Sequence, residues 1–123
     1  MKQNQSVEDY LEQILILSKE IEHVRSIDIV KSLGFSKPSI SIAMKKLESD
    51  ELIYIDQKGH IFLTENGKQI AEGTLEKHTT LTDFFISLGV NNKVALDDAC
   101  KIEHVISDES FVALKQHIKK NSK

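Results

Sequence analysis

The chain has 123 residues, with 16 Lys and Arg against 19 Asp and Glu and a formal charge of −3. That length makes one compact domain, or two small lobes sharing an element, and 40% hydrophobic with 28% charged residues argues against a disordered chain. No apolar run approaches the roughly 18 residues that cross a bilayer, the start MKQNQSVEDY lacks a signal-peptide core, and the single Cys leaves no internal disulfide, so the expectation is a cytoplasmic protein without membrane contact.

In chain order, Ser6 is placed to cap a helix running to about Ile21. Val7, Tyr10, Leu11, Ile14, Leu15, Leu17 and Ile21 give it an apolar face at helical spacing. Ser26 opens a short second helix, Ile27 to Leu33, which Gly34 stops. Ser36 opens a third, with Pro38 in the first turn where a missing N–H costs nothing. Ile40, Ala43, Met44 and Leu47 recur at i, i+3, i+4, i+7, so that face is predicted to be buried. The period then changes. Leu52–Ile55 and His60–Leu63 are rich in strand formers around a Gln57-Lys58-Gly59 turn, so 52–64 reads as a hairpin. Thr64 is placed to cap a long helix over about 65–88, with Gly89 as its stop. Another helix is predicted over roughly 91–105, and Ser107-Asp108-Glu109 starts the last one, with Phe111, Leu114 and Ile118 facing inward. The tail KKNSK is expected to fray.

Helix, short helix, tight turn, helix and hairpin is the order of a winged helix-turn-helix, whose second motif helix enters the major groove of double-stranded DNA. Residues 36–47 hold three Lys and no acid. Lys37, Lys45, Lys46 and, in the hairpin turn, Lys58 are phosphate-contact candidates. Ser36, Pro38, Ser39, Ser41 and Ile42 are candidates for base-edge contacts, with Ile42 suited to a thymine methyl. Lys58 and His60 are both expected at the hairpin tip, facing phosphate or the minor groove. The plainer reading is a helical hairpin with a solvated lysine face, or a winged helix used for protein–protein contact.

A second constellation lies near the end of the chain. Cys100, Glu103 and His104 stand at i, i+3 and i+4, on one side of a predicted helix. A thiolate, a carboxylate and an imidazole suit a divalent transition metal. Asp9 and Glu12 form a further i, i+3 pair on the first helix, and His78 on the long helix is a sixth group. Each has an ordinary alternative: a buried small thiol, a satisfied core histidine, acids favouring a helix N-terminus. Cys100 as a redox sensor is another. A thiol enzyme is disfavoured, because no Gly-rich oxyanion turn adjoins Cys100.

Read together, SVEDYLEQILIL, DIVKSLGFSKPSISIAMKKLESDELI, LTENGKQIA, EKHTTLTDFF and DDACKIEHVISDES resemble the diphtheria toxin repressor / manganese transport regulator family of metal-dependent repressors. Cys-x-x-Glu-His followed by Val-x-Ser-Asp is the most specific segment. The resemblance implies a mainly α protein with a small β-hairpin wing. A winged helix-turn-helix DNA-binding domain (1–64) is followed by an all-helical metal-binding and dimerisation domain (65–123). It further implies a homodimer on a palindromic operator, no small-molecule substrate, no enzymatic activity and control of metal uptake genes. Asp9, Glu12, His78, Cys100, Glu103 and His104 match the family's ligand positions. Manganese-sensing members usually carry a carboxylate where Cys100 stands. Iron-sensing members have Cys there, but Met where Asp9 stands and further ligands where Thr82 and Leu96 stand. The implied site is therefore a hybrid for Mn(II) or Fe(II), with Zn(II) and Co(II) as in vitro ligands.

The resemblance also changes what the net charge means. Residues 8–22 hold five acids and one Lys, and residues 97–109 repeat that balance, while 36–47 and 115–123 carry only Lys. The acidity concentrates in the two segments expected to share metal. Two divalent ions would bring the chain close to neutrality, so the charge bears on when it binds DNA more than on whether it does.

Overall fold

The computed structural model describes residues 5–121, Gln5 in its backbone only, so Ser122 and Lys123 of the tail lie outside the described residues. It contains α1 (Gln5–Glu20), α2 (Ser26–Leu33), α3 (Lys37–Ser49), β1 (Ile53–Ile55), β2 (Ile61–Leu63), α4 (Glu65–Ser87), α5 (Asn92–Ile102) and α6 (Asp108–Asn121). The fold is the expected one, mainly helical with one small hairpin. The chain forms two compact units, Met1–Gly73 and Thr74–Lys123, and α4 contributes to both.

In the first unit, Leu11, Ile14 and Leu15 of α1, Ile29 of α2, and Ile40, Met44 and Leu47 of α3 are buried in one core with Leu52, Ile53 and Ile61. The spacing explains it: three or four residues apart on each helix places these side chains on one face. Gly34 ends α2 in the left-handed conformation (φ 75°), which costs a glycine nothing. Ser36 caps α3 by accepting from Ser39 N–H at 3.3 Å. β1 and β2 pair antiparallel in the register Ile53↔Leu63, Tyr54↔Phe62, Ile55↔Ile61.

Three helix starts follow the serines and threonine closely but not identically. Thr64 caps α4 as expected, accepting from Gly67 N–H at 3.1 Å. Ser6 does not cap α1, because the helix already includes Gln5. Ser26 is the first residue of α2 rather than its cap; Arg25 takes that place, its N–H donating to the Asp28 carboxylate at 2.9 Å. At the other end of the chain, Lys119, Lys120 and Asn121 are still helical, against the expected fraying. The Asn121 side chain, which donates to His117 O at 2.9 Å, ties that last turn back.

Gly67 is set by packing. A Cβ there would collide with the Leu52 carbonyl, which also accepts from Thr64 N–H at 3.1 Å. Gly67→Ala must therefore separate α4 from the hairpin, and is expected to cost about 1–3 kcal/mol. A lowered urea midpoint at unchanged m-value checks this.

The second unit is built from the rest of α4 with α5 and α6. Asn91 caps α5, accepting from Lys93 N–H at 2.9 Å, and Ser107 accepts from Ser110 N–H at 3.1 Å at the start of α6. Leu81, Ala95, Ala99 and Phe111 are its buried apolar residues. Leu114 and Ile118 are half-buried rather than fully inward. Lys77 pairs with Asp108 at 3.2 Å and Lys115 with Glu76 at 2.6 Å, fastening α6 to α4 over Phe111. No helix among the described residues is long and apolar enough to cross a membrane.

Candidate metal centre and nucleic-acid interface

α5 is shorter than its sequence predicts. It ends at Ile102, Glu103 is its C-cap, and His104 lies in the turn that follows. The ladder changes there: Glu103 N–H still donates to Ala99 O, but Val105 N–H donates to Ile102 O three residues back. Cys100, Glu103 and His104 are thus not all on one helix. Glu103 keeps helical dihedrals (φ −56°, ψ −27°), which holds it on the same side as Cys100.

His78 of α4 completes the arrangement. Its Nδ1 lies 3.3 Å from Glu103 Oε1 and 3.5 Å from Cys100 Sγ. Donor atoms of His78, Cys100 and Glu103 all lie within 4.8 Å of one another. Metal–ligand bonds of roughly 2.0–2.3 Å place two donors on one ion about 3.3–4.6 Å apart, so these three fit a divalent ion with little movement. Glu103 and His104 are buried, and His104 Nε2 is 3.7 Å from Glu103 Oε1. Burial pushes the His78 imidazole below its ordinary value, and charge on His104 pushes it the same way. At neutral pH His78 is therefore a neutral base, the form a metal requires.

Asp9 and Glu12 lie one turn apart on α1, both half-buried, in the first unit. Thr82 and Leu96 offer no ligand: the Thr82 hydroxyl donates to His78 O at 2.7 Å, and Leu96 is an exposed aliphatic side chain.

The expected reading face of α3 is exposed. Lys37, Pro38, Ser39, Ser41, Ile42, Lys45 and Lys46 face solvent, opposite the buried Ile40, Met44 and Leu47. Ile42 is 70% exposed, so its apolar surface is available to a partner. Ser36 is partly committed, its hydroxyl donating to Ser39 Oγ at 2.9 Å. Lys46 pairs with Asp50 at 3.2 Å, an exposed contact weak enough to exchange for a phosphate.

The wing needs one correction. Lys58 is exposed in its turn, but His60 is not at the tip facing DNA. It is buried under the hairpin, stacked on His23 and bonded to Arg25, because Asp56 closes the turn onto it. Asp56 Oδ1 accepts from both Lys58 N–H and His60 N–H at 2.9 Å. The His60 bond is the main reason its carboxyl sits below the usual value. Asp56, Arg25 and His23 escaped the sequence reading. Asp56 was signalled by Asp-x-x-Gly, a turn pattern; Arg25 and His23 depend on pairing with His60 across 35 and 37 residues and carry no local signal.

Two family models cover the chain. The iron dependent repressor N-terminal DNA-binding domain matches residues 3–61, and the iron dependent repressor metal-binding and dimerisation domain matches residues 64–123. The transcriptional regulator MntR of Escherichia coli is 31% identical over 115 residues, 94% of this chain and 74% of that protein. An HTH-type transcriptional regulator of Methanocaldococcus jannaschii is 36% identical over 121 residues, 95% of each chain. Among solved structures, the manganese regulator SloR superposes with a TM-score of 0.81 at 28% identity over 97% of this chain, which spans 55% of that one. The wing, the exposed α3 face and the thiol–carboxylate–imidazole cluster thus sit on a chain that belongs to the iron-dependent repressor family, whose members are metal-responsive DNA-binding regulators and not enzymes.

Proposed function

We propose that this protein is a metal-dependent transcriptional repressor. As a homodimer it binds a palindromic operator when Mn(II) or Fe(II) is held by Asp9, Glu12, His78, Cys100, Glu103 and His104, and it controls genes of metal uptake. The carrying observation is the convergence of His78, Cys100 and Glu103 donors within 4.8 Å in a chain whose other unit presents an exposed α3. A bound divalent ion supplies the positive charge that offsets the carboxylates and the thiolate. His78 contributes a neutral imidazole, Glu103 a buried carboxylate, and His104 stands beside Glu103. Asp9 and Glu12 add two carboxylates from α1, the helix on which the helix-turn-helix packs. The second unit exposes Leu88, Leu96, Val105 and Val112, apolar surface that a dimer would cover. Two copies of α3 then meet half-sites separated by a helical turn or a multiple of it.

A gel shift on the DNA upstream of the protein's own gene, with and without Mn(II) and anaerobic Fe(II), tests the reading. A shift that requires metal is expected. No shift under any condition would overturn it, and a metal-independent shift abolished by oxidant would assign Cys100 a redox role instead.

Two predictions concern the interface. Lys37→Ala or Lys45→Ala should weaken binding to all sequences about equally and reduce the log K against log salt slope by roughly 0.9, read by anisotropy over a salt series. Ile42→Ala should cost about 1–3 kcal/mol on the operator and little on random duplex. Equal losses on both would remove Ile42 from sequence readout.

A further inference from the structure

Arg25 and His60 meet at the base of the hairpin, where Arg25 Nη2 donates to His60 Nε2 at 3.1 Å. A guanidinium has no lone pair to offer, so Nε2 is the acceptor and the ring proton sits on Nδ1. That nitrogen faces Asp56 Oδ2 at 3.4 Å. The ring is 7% exposed, and His23 covers one face with centroids 4.2 Å apart and planes 1° from parallel. Next to it, Ile61 N–H donates to Val24 O at 2.8 Å. The segment entering α2 is therefore bonded to the hairpin twice, through backbone at Val24 and through side chain at Arg25. Arg25 is also the N-cap of α2. His60 thus stands between the start of the helix-turn-helix and Asp56, the residue that shapes the turn carrying Lys58.

We propose that His60 is a positioning residue for DNA binding: by bonding Arg25 and facing Asp56 it fixes the wing on the start of α2, so that Lys58 reaches the DNA backbone at a set distance from α3. The proposal rests on the DNA-binding function above. His60 itself touches no DNA. Its ring nitrogens do the work, and its stack on His23 keeps the ring in plane for both partners.

The test compares the full-length protein with His60→Phe, which keeps volume and stack but has no ring nitrogen, and with His60→Gln, whose amide can offer an acceptor and a donor. Each is made with and without Lys58→Ala. Binding to a mixed-sequence duplex of about three helical turns is followed over a salt series, and amide exchange is followed at Gly59, Ile61 and Ile40. In the wild type, Lys58→Ala should lower the salt slope by about 0.9. In His60→Phe the same change should lower it by less than about half of that, and in His60→Gln the full effect should return. Gly59 and Ile61 should exchange about tenfold faster in His60→Phe, with Ile40 in α3 unchanged. Unchanged exchange at the wing, or a Lys58 effect of full size in His60→Phe, overturns the proposal. If no protein, wild type included, binds this duplex or the DNA upstream of its own gene with Mn(II) or anaerobic Fe(II) present, the functional reading fails, and the exchange data still decide whether His60 holds the wing.

Discussion

Glu103→Gln is expected to cut the metal stimulation of DNA binding to a few-fold at most while leaving weak, salt-sensitive binding to any duplex. The substitution preserves shape and removes one negative charge at the centre of the cluster, 3.3 Å from His78 Nδ1 and 3.7 Å from His104 Nε2. Glu103 is 3% exposed, and the amide that replaces its carboxylate is an uncharged, weaker donor for a divalent ion. A useful switch needs metal to favour the DNA-competent arrangement about 100-fold, near 2.7 kcal/mol. Losing one charged ligand should reduce that stimulation to a few-fold at most. Anisotropy titrations on the operator with and without Mn(II) check this, with non-specific binding at low salt as the internal control. The control should not move, because α3 and its lysines belong to the other unit. His104→Ala should act in the same direction. Metal stimulation of undiminished size in both variants would show that the cluster does not gate DNA binding.

The two halves of this mechanism were legible in the sequence to different depths. Helix periodicity placed α1, α3 and their buried faces, because an amphipathic helix writes its burial into the chain every three or four residues. The exposed Ile42 was visible for the same reason: it breaks the polar face of a helix whose apolar face is already complete. What failed was local and geometric. The end of α5 could not be read, because Ile102, Val105 and Ile106 continue an apolar pattern past the point where the hydrogen-bond ladder tightens. Only the dihedrals at Glu103 show that a cap can still keep helical spacing to Cys100. His60 was misplaced because a hairpin's period says which residues alternate, but not which face a neighbouring segment covers. His78 enters the ligand set through the resemblance and not through any pattern of its own. Read along the chain it is a lone histidine 22 residues from Cys100, yet its Nδ1 lies 3.5 Å from Cys100 Sγ and 3.3 Å from Glu103 Oε1. Contacts between separate helices leave no periodic trace, so a ligand set drawn from several elements becomes legible only through resemblance to a family.

Cys100→Asp is expected to move metal preference from Zn(II) and Co(II) toward Mn(II) by about tenfold or more, corresponding to about 1.4 kcal/mol. The thiol is the one soft donor beside His78 and Glu103, and its Sγ lies 3.5 Å from the ring nitrogen that must share the ion. Thiolate bonds are worth most to borderline and soft ions, while Mn(II) gains little from sulfur and more from a second oxygen. A carboxylate at this position therefore keeps the charge and the ligand count while changing the softness. Competition titrations of Zn(II) against Mn(II) measure the ratio directly. Co(II) supplies an independent reading: its thiolate charge-transfer absorption should be present in the wild type and absent in the variant. Because a bound thiol must give up its proton, Co(II) affinity should rise with pH more steeply in the wild type than in Cys100→Asp, whose carboxylate is already ionised above pH 6. A wild-type protein without the charge-transfer band, and with the same pH slope as the variant, would take Cys100 out of the ligand set.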